Sequence, residues 1–501
     1  MENSMQSFKR LQWILILVFF GILLFTFSQE KTVNNGAGYD GIYYRDLVRN
    51  FPEMLRASFS DYKASRVLPF AAAHYLLNVL NIEPTDGVIL FTIWGMMFLL
   101  MIAGVVYYFK IAKLLQWRPD LTLLGFVLLF YQFAVLKYSG YYPILTDHFI
   151  FSLTIIVLYH FLKKQTLYMM LTGFAACFIW PTYSLFIPLL LLNNPVNLPA
   201  EKMQETKYGP LLWKLVKLGL ALVPVVLFVY LIRSQNLWIE KRYLTADRIY
   251  ANFRPYNFLV SVIATAAVYV YYLALLWPVQ WQMITGWFKS LFQTKIKQVV
   301  LAIVFVAAVA AVKYFMTLGN TEPPYPTIGS LLVEFTFRPA VAPFNFIVFA
   351  FWFLGLLVFF SIHYYKHLLQ QFLQLGNGYF ILLVYSLIFL TTAQPRFLTT
   401  MLPFFLVALM PVLQQFIPKP VPGKLLMVLA GFSLLVSRFW FPVEVNPHYM
   451  VDGDSAAEKL PMFIGPWISD YFYCWLIATG LVLYFIWHRW LLRPMLQQTQ
   501  E

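Results

Sequence analysis

The chain has 501 residues, of which 60% are hydrophobic, 19% aromatic and only 12% charged, and its mean hydropathy is +0.68. Soluble domains usually contain about 45–50% apolar residues, so the composition excludes an ordinary soluble protein and predicts an all-α polytopic membrane protein. The formal net charge of +14 does not indicate a nucleic-acid partner, because the basic residues are spread over short segments between apolar runs.

The first apolar segment, residues 11–27, follows Lys9 and Arg10 and resembles a signal peptide in charge and length. No Ala-x-Ala cleavage site closes it, since residues 26–29 read Thr-Phe-Ser-Gln. We therefore expect an uncleaved anchor with the N-terminus in the cytoplasm.

Continuous apolar runs then predict about 13 to 14 transmembrane helices, and their continuity argues against transmembrane strands. The predicted spans lie near residues 11–28, 87–109, 121–138, 145–163, 167–178, 181–193, 213–232, 258–278, 299–317, 345–364, 379–393, 398–417, 424–441 and 470–489. The pair at 167–178 and 181–193 is one apolar run interrupted by proline. Residues 68–82 are expected to lie at the interface or to re-enter, because a crossing there would place Lys110, Lys113 and Arg118 outside.

These spans predict a single integral membrane domain over residues 1–501. It would comprise an outer loop with interfacial helices at 29–86, an N-terminal helical core at 87–278 and a C-terminal helical region at 279–501. Both termini and the short loops on their side would be cytoplasmic, with long loops outside.

The predicted topology sorts the charges. The inner segments carry 15 Lys, 4 Arg and 5 acidic residues, whereas the outer segments carry 6 Lys, 11 Arg and 17 acidic residues, which satisfies the positive-inside rule. The preference for arginine outside suggests bidentate recognition of phosphate, although pairing with the outer acids explains it as well. The outer arginines include Arg45, Arg49, Arg56, Arg66, Arg396 and Arg438.

Asp40 is the first candidate for chemistry, in the sequence Gly38-Tyr39-Asp40-Gly41 directly after the first span. From Ile42 onward the pattern predicts an amphipathic helix, so Asp40 is either its N-cap or a carboxylate that removes a proton from an acceptor. Asp46 and Glu53 are expected to pair with Arg45, Arg49 and Arg56.

A second acid, Asp147, lies beside His148 at the predicted outer edge of a span. Asp147 either contributes an N-cap or an ion pair with Lys137, or faces the same cavity as Asp40. Two isolated acids do not specify a metal, although Mg²⁺ sites often borrow phosphate oxygens.

Arg66 and Arg396 are the candidate phosphate ligands. Arg66 opens the predicted interfacial helix, and it either reaches lipid head groups or grips a phosphate near Asp40. Arg396 follows Pro395 between two spans, where it either anchors the helix or meets a lipid-linked phosphate. The Trp180-Pro181-Thr182 break between spans is interpreted as structural only.

The sequence lacks the motifs that are typical of other chemistries. The seven histidines show no HExxH spacing, and Walker, GxGxxG and GxSxG sequences are missing, so zinc, nucleotide and hydrolase chemistry are not indicated. The two cysteines, Cys177 and Cys474, lie in apolar runs and are interpreted as core residues.

The arrangement of these motifs resembles the GT-C superfamily, the multi-spanning glycosyltransferases that use polyprenyl-phosphate-linked sugars. The resemblance lies in Tyr39-Asp40-Gly41 after the first span, Arg66-Val67-Leu68-Pro69, Thr146-Asp147, the proline-broken helix pair and Pro395-Arg396-Phe397-Leu398. Members commonly carry paired acids in the first loop, whereas this chain has Asp40 followed by Gly41, as in the Tyr-Asp-Gly subset of bacterial members.

The resemblance implies an inverting glycosyltransferase that moves a sugar from a polyprenyl-phosphate donor to a glycan, lipid or protein acceptor at the outer face of the bacterial inner or plasma membrane. It implies Asp40 as base, Asp147 as a second cavity acid, and Arg66 and Arg396 as donor-phosphate ligands. A divalent cation, Mg or Mn, is left open. Tyr39, Tyr43, Tyr44 and His148 are expected in the substrate cavity, although the tyrosines fit an interfacial belt equally well. The alternative function is a transporter or flippase of a lipid-linked saccharide.

Overall fold

The computed structural model describes residues 2–29, 36–37, 41–57, 59–196, 209–233, 266, 269–320, 345–390, 395–440 and 470–497. Every regular element in these ranges is helical, which confirms the all-α class. The α-helices are α1 Glu2–Ser28, α2 Gly41–Arg49, α3 Phe51–Arg56, α4 Asp61–Ala64, α5 Leu68–Val79, α6 Asp86–Leu114, α7 Pro119–Phe130, α8 Phe133–Leu136, α9 Tyr138–Tyr141, α10 Asp147–Leu162, α11 Thr166–Cys177, α12 Tyr183–Leu191, α13 Gly209–Arg233, α14 Trp281–Phe292, α15 Ile296–Thr317, α16 Asn345–Leu354, α17 Leu356–His363, α18 Tyr365–Leu375, α19 Asn377–Leu390, α20 Leu402–Phe416, α21 Gly423–Ser437, α22 Asp470–Ile486 and α23 Arg493–Gln497. A 3₁₀ segment, Pro395–Met401, precedes α20, and a π-helical turn, Trp487–Leu492, follows α22.

Five helical stretches of the described chain are long and apolar enough to cross a membrane, or six if the bent pair Pro119–Phe130 and Phe133–Tyr141 forms one span. The five are Gln6–Ser28, Asp86–Leu114, Ile296–Thr317, Arg396–Phe416 and Trp475–Leu496. Shorter apolar helices occur at Asp147–Leu162, Thr166–Cys177, Asn377–Leu390 and Gly423–Ser437. The protein is therefore membrane-embedded, whereas the total of about 13 to 14 spans stays a prediction. Ten of the 21 residues of the predicted span at 258–278 lie outside the described residues.

The predicted proline break is confirmed. Helix α11 ends at Cys177 and α12 begins at Tyr183, with Pro181 between them. Leu68 donates its backbone N–H to the carbonyl of Phe178 at this break, with an N···O distance of 3.0 Å. The start of α5 thereby supplies a donor to a carbonyl that the interrupted helix leaves exposed. The helical state of residues 68–79 is also confirmed, and their position at the membrane interface stays a prediction.

The first helix packs closely against the bent pair that follows α6. The Tyr131 hydroxyl donates to the carbonyl of Leu15 at 2.6 Å. One turn beyond α8, a Cβ added to Gly140 would lie 2.6 Å from the backbone carbon of Thr26, so only glycine permits this approach. Helix α1 therefore packs against the α7–α9 segment from Leu15 to Thr26 and is not a separate anchor.

Two ends of the helical bundle can be distinguished by their contacts. At the Arg66 end, the start of α5 meets the end of α11, and the end of α15 meets residue 59, where Phe59 N–H donates to the Met316 carbonyl at 3.0 Å. At the Lys113 end, Arg118 donates to the Pro418 carbonyl at 2.5 Å and pairs with Asp120 at 2.9 Å. Asp120 also accepts the Val421 N–H at 2.8 Å, which joins the start of α7 to the turn before α21.

An asparagine clamp, defined as Asn193, Asn194 and Asn377, joins the end of α12 to the start of α19. Asn194 N–H donates to Asn377 Oδ1 at 2.8 Å, and Asn377 N–H donates back to the Asn194 carbonyl at 2.9 Å. Asn193 donates to the Leu375 carbonyl at 2.8 Å and accepts from Tyr379 N–H at 3.0 Å. These side chains satisfy helix-terminal groups that would otherwise be buried without partners.

We predict that Gly378→Ala lowers the thermal midpoint of the purified chain. A Cβ at Gly378 would lie 2.0 Å from the backbone oxygen of Leu189, so the clamp must move apart at a cost of about 1–3 kcal/mol. The measurement is the unfolding midpoint in detergent at a fixed scan rate. The matched control is Gly431→Ala within α21, where a Cβ meets nothing within 4 Å and the helix should gain stability. Equal midpoints for the two variants would contradict the packing.

Candidate functional site

Helix α2 begins at Gly41, one residue earlier than predicted. Asp40 and Tyr39, the leading candidates from the sequence, lie outside the described residues. Gly41 itself is buried, and a Cβ added to it would lie 2.4 Å from Ile144 Cγ2. The residue after Asp40 therefore contacts the segment that leads into Asp147.

The arginines of α2 are fixed by carboxylates. Arg45 pairs with Asp86 at 2.6 Å, Arg49 pairs with the other oxygen of the same carboxylate, and Arg49 also lies 3.6 Å from Asp46. The predicted pairing of Asp46 with Arg49 is thus confirmed, but Asp86, which opens α6, is the main partner. Both arginine charges are already neutralised, which leaves them less suited to bind phosphate.

Arg66 lies in the turn between α4 and α5 and is buried, with 4% of its surface exposed. Its guanidinium stacks over the rings of Tyr62 at 4.3 Å and Trp180 at 4.7 Å, and it donates to the Tyr44 hydroxyl at 3.4 Å. Within the described ranges it makes no ion pair, and its Nε has no hydrogen-bond partner. Arg66 is therefore a desolvated cation held by aromatic faces rather than by a carboxylate.

The charge of Arg66 survives burial. Burial lowers the pKa of Arg66, but the Tyr44 and Tyr62 hydroxyl groups outweigh that effect and raise the pKa above its ordinary value, while nearby Arg396 lowers it. The guanidinium is accordingly charged at every physiological pH.

Arg396 occupies the 3₁₀ segment and is also buried, with 7% of its surface exposed. It donates to the Tyr138 hydroxyl at 3.4 Å, and its guanidinium lies 5.5 Å from the ring of Phe397. Phe397 in turn packs edge-on against Trp180, with 5.8 Å between ring centroids. Arg66 and Arg396 therefore each lie beside one ring of the same aromatic pair, and the charge of Arg396 acts on Arg66.

Asp147 is buried and is the first residue of α10, whereas Thr146 occupies the N-cap position without a capping hydrogen bond. The N-cap interpretation of Asp147 is therefore wrong, because the helix begins at the aspartate rather than after it. The suggested ion pair with Lys137 is wrong as well. Lys137 donates instead to the side-chain oxygen of Gln29 at the end of α1.

His148 is completely buried beside Asp147, and its ring lies 5.2 Å from that of Tyr138, the hydrogen-bond partner of Arg396. Its ring nitrogens make no hydrogen bond of normal geometry to a described residue.

The two tyrosines of α2 lie in different surroundings. Tyr44 is buried and stacks on Phe70, with 4.2 Å between the ring centroids. Tyr43 is half-buried, and the Lys63 ammonium group lies 4.9 Å from the centroid of its ring. Tyr44 and His148 thus each adjoin one of the two buried arginine environments.

Three residues of this region were not assigned a role from the sequence: Trp180, Tyr138 and Tyr62. The Trp180-Pro181 break was interpreted as structural only, yet the indole ring of Trp180 lies 4.7 Å from the Arg66 guanidinium. An aromatic residue adjoining a proline at a helix break was the available signal. Tyr138 had no comparable signal, because it contacts Arg396 across a separation of 258 residues.

An apolar cavity of about 370 Å³ adjoins the 3₁₀ segment that carries Arg396. It runs between the helical residues 269–276 and helices α16 to α20. Its wall is mostly aliphatic and aromatic and includes Leu390, Leu398, Met401, Leu357 and Phe405. The volume falls within the range of about 300–1,000 Å³ that is usual for small-molecule sites. An arginine thus lies two residues from the wall of an apolar cavity.

No three His, Cys, Asp or Glu side chains converge within the part of the chain that the structure describes. Asp40 lies outside that part, so the suggested Mg or Mn ion remains a prediction.

We predict that Gly41→Ala destabilises the protein by about 1–3 kcal/mol, because its new methyl group would collide with the β-branched side chain of Ile144. Ile144→Ala alone should cost about 2–5 kcal/mol through the cavity that it leaves. In the double variant the two changes compensate, so their combined cost should fall below the sum by at least about 0.5 kcal/mol. Apparent unfolding midpoints measure this coupling. The control is Gly87→Ala, where the added Cβ meets nothing within 4 Å, and strict additivity would contradict the contact.

The described site therefore consists of two buried arginines on one aromatic pair, a buried acid and histidine at the start of α10, and an apolar cavity beside the 3₁₀ segment. Comparison of the chain with known protein families, with characterised proteins and with solved structures finds no match.

Proposed function

We propose that the protein is a membrane glycosyltransferase that transfers a sugar from a polyprenyl-phosphate donor to an acceptor hydroxyl at the Arg66 end of the bundle. The observation that carries this proposal is the convergence of Arg66 and Arg396 on the Trp180–Phe397 pair. The charge of Arg396 acts on Arg66 and disfavours the charged form of its guanidinium, and a phosphate bound at Arg66 would offset that effect.

Phosphate is the anion that this arrangement suits. A guanidinium offers its donors in a planar fork that matches two phosphate oxygens, and burial strengthens each charge-assisted hydrogen bond. Arg66 still has an unsatisfied donor, its Nε. We therefore assign the donor phosphate to Arg66 and Arg396.

The apolar cavity supports a lipid-linked donor rather than a soluble sugar phosphate. Its wall begins two residues after Arg396, at Leu398, and consists almost entirely of hydrocarbon surface. Burying a prenyl chain there would contribute about 25 cal/mol for each Å² of apolar surface removed from water. A charged head group and an apolar chain would thus occupy adjoining parts of one site.

In the proposed reaction, Asp40 takes the proton of the acceptor hydroxyl as its oxygen forms a bond to the anomeric carbon of the sugar. The bond between that carbon and the phosphate oxygen breaks, and the phosphate leaves with the electron pair. Arg66 and Arg396 stabilise the charge that develops on it. We expect Asp147 to act as the second acid of this site, and Tyr44 and His148 adjoin the surroundings of the two arginines.

Transport or flipping of a lipid-linked saccharide is the second candidate, because binding of the same head group is its first step. Transporters, however, tend to place ionisable side chains near the middle of the membrane. In the described residues Arg66, Arg396 and Asp147 all lie at element ends, which favours surface chemistry.

We predict that Arg66→Gln weakens the binding of farnesyl phosphate by about 10- to 100-fold, the equivalent of one lost charge-assisted interaction. Binding is measured by ligand-induced shifts of the unfolding midpoint of the purified chain, with farnesol as the uncharged reference. Arg66→Lys keeps the positive charge but loses the planar fork of donors, so its affinity for farnesyl phosphate should lie between those of the wild-type chain and Arg66→Gln. The matched control, Arg56→Gln, removes an exposed arginine of α3 and should bind normally. Unchanged binding by Arg66→Gln in a folded variant would refute the assignment of the phosphate.

Catalysis is tested separately by Asp40→Asn in an assay with polyprenyl-phosphate sugars as donors. We expect transfer to fall by at least about 100-fold, the usual contribution of a general base, while farnesyl phosphate binding is retained. Transfer at the wild-type rate would remove Asp40 as the base. Binding without any transfer by the wild-type chain, together with movement of the donor across vesicle membranes, would favour the flippase.

A further inference from the structure

A second cavity lies at the Lys113 end, far along the bundle from the arginine pair. It measures about 610 Å³ and separates the first turns of α1 from the turn between α6 and α7. We call it the basic pocket, defined by Lys9, Gln12, Lys113, Gln116, Trp117 and Arg118 among its lining residues. Its size suits a small polar group, since ligand sites commonly measure about 300–1,000 Å³.

The charge of the basic pocket is not balanced. Arg118 is neutralised by Asp120 and is held in place by the carbonyls of Pro418 and Lys419. Lys9 and Lys113 make no ion pair with any carboxylate in the described ranges. Two unneutralised ammonium groups therefore face one cavity, although they lie more than a hundred positions apart in the chain.

The positive-inside rule explains basic residues in a loop, but it does not explain their convergence on a cavity. The convergence results from the packing of α1 against α6, seen further along in the edge-on contact of Phe20 with Phe98 at 5.3 Å. Gln12 and Gln116 add amide donors to the same wall. The lining thus offers several hydrogen-bond donors and two cations to an anion.

The apolar surroundings indicate that this anion is attached to hydrocarbon. Phe8, Phe109 and Leu123 complete the pocket wall. One turn beyond Lys9, Trp13 of α1 is 63% exposed, and Val106 of α6, two turns before Lys113, is 47% exposed. An acyl chain leaving the pocket would therefore run along uncovered apolar surface of two helices that are long enough to span a membrane.

We infer that the basic pocket binds the phosphodiester head group of an anionic membrane phospholipid, with its acyl chains along α1 and α6. Basic pockets between transmembrane helices on the cytoplasmic side are suited to this class of ligand. This site is separate from the donor site, and it holds whether or not the chain transfers sugars.

The test is native mass spectrometry of the detergent-purified full chain, titrated with phosphatidylglycerol and, separately, with phosphatidylcholine. The wild-type chain should prefer phosphatidylglycerol. Lys9→Gln and Lys113→Gln should each lower that affinity about fivefold, and the double variant about 25-fold. Affinity for phosphatidylcholine should change little.

The matched control is the double variant Lys163→Gln and Lys164→Gln, which removes two exposed lysines at the end of α10 that do not line the pocket. It should retain the wild-type preference, and both double variants should keep the wild-type unfolding midpoint because all four lysines are exposed. An equal loss of affinity for phosphatidylglycerol in the control would show that the effect comes from general surface charge, which would overturn the proposal. If inorganic phosphate competed for the pocket as effectively as phosphatidylglycerol does, the bound anion would not have to belong to a lipid, and the proposal of a phospholipid ligand would be overturned.

Discussion

The constraint on which this structure depends is that every interruption of a helix in an apolar environment must satisfy its backbone polar groups within the protein. The chain meets this constraint by pairing one interruption with another. The start of α5 donates to the break after α11, and the asparagine clamp joins the end of α12 to the start of α19. Polar side chains are thereby placed at the breaks, as Asn193, Asn194 and Asn377 are in the asparagine clamp.

The same constraint explains where the arginines lie. Trp180 follows the end of α11, and Tyr138 opens the short helix α9 after the bent part of the α7–α9 segment. Each of these aromatic residues holds one arginine, Trp180 by stacking on Arg66 and Tyr138 by accepting a hydrogen bond from Arg396. Because Arg66 lies on an aromatic face and makes no ion pair with a described carboxylate, its Nε donor is left for a ligand.

Local features of the sequence were sufficient for much of the fold. Continuous apolar runs predicted the helices, and Pro181 located the break between α11 and α12, because both signals act over a few residues. Partners remote in sequence were not predictable. Asp86 was missed as the partner of Arg45 and Arg49, and the Asp147–Lys137 pair was wrongly proposed, because charge alone does not tell which of several acids the packing brings near.

The contacts of α1 bear on how the protein is assembled. Its Leu15 carbonyl receives the Tyr131 hydroxyl across 116 positions of the chain, so this first helix enters the membrane well before its partner has been made. At about 5–20 residues per second of synthesis, the delay is on the order of 6 to 23 seconds. During that interval lipid covers the apolar side of α1. Gly140 later provides the gap into which Thr26 fits. Substitutions at this interface should therefore reduce the yield of assembled protein even where they leave the finished molecule active.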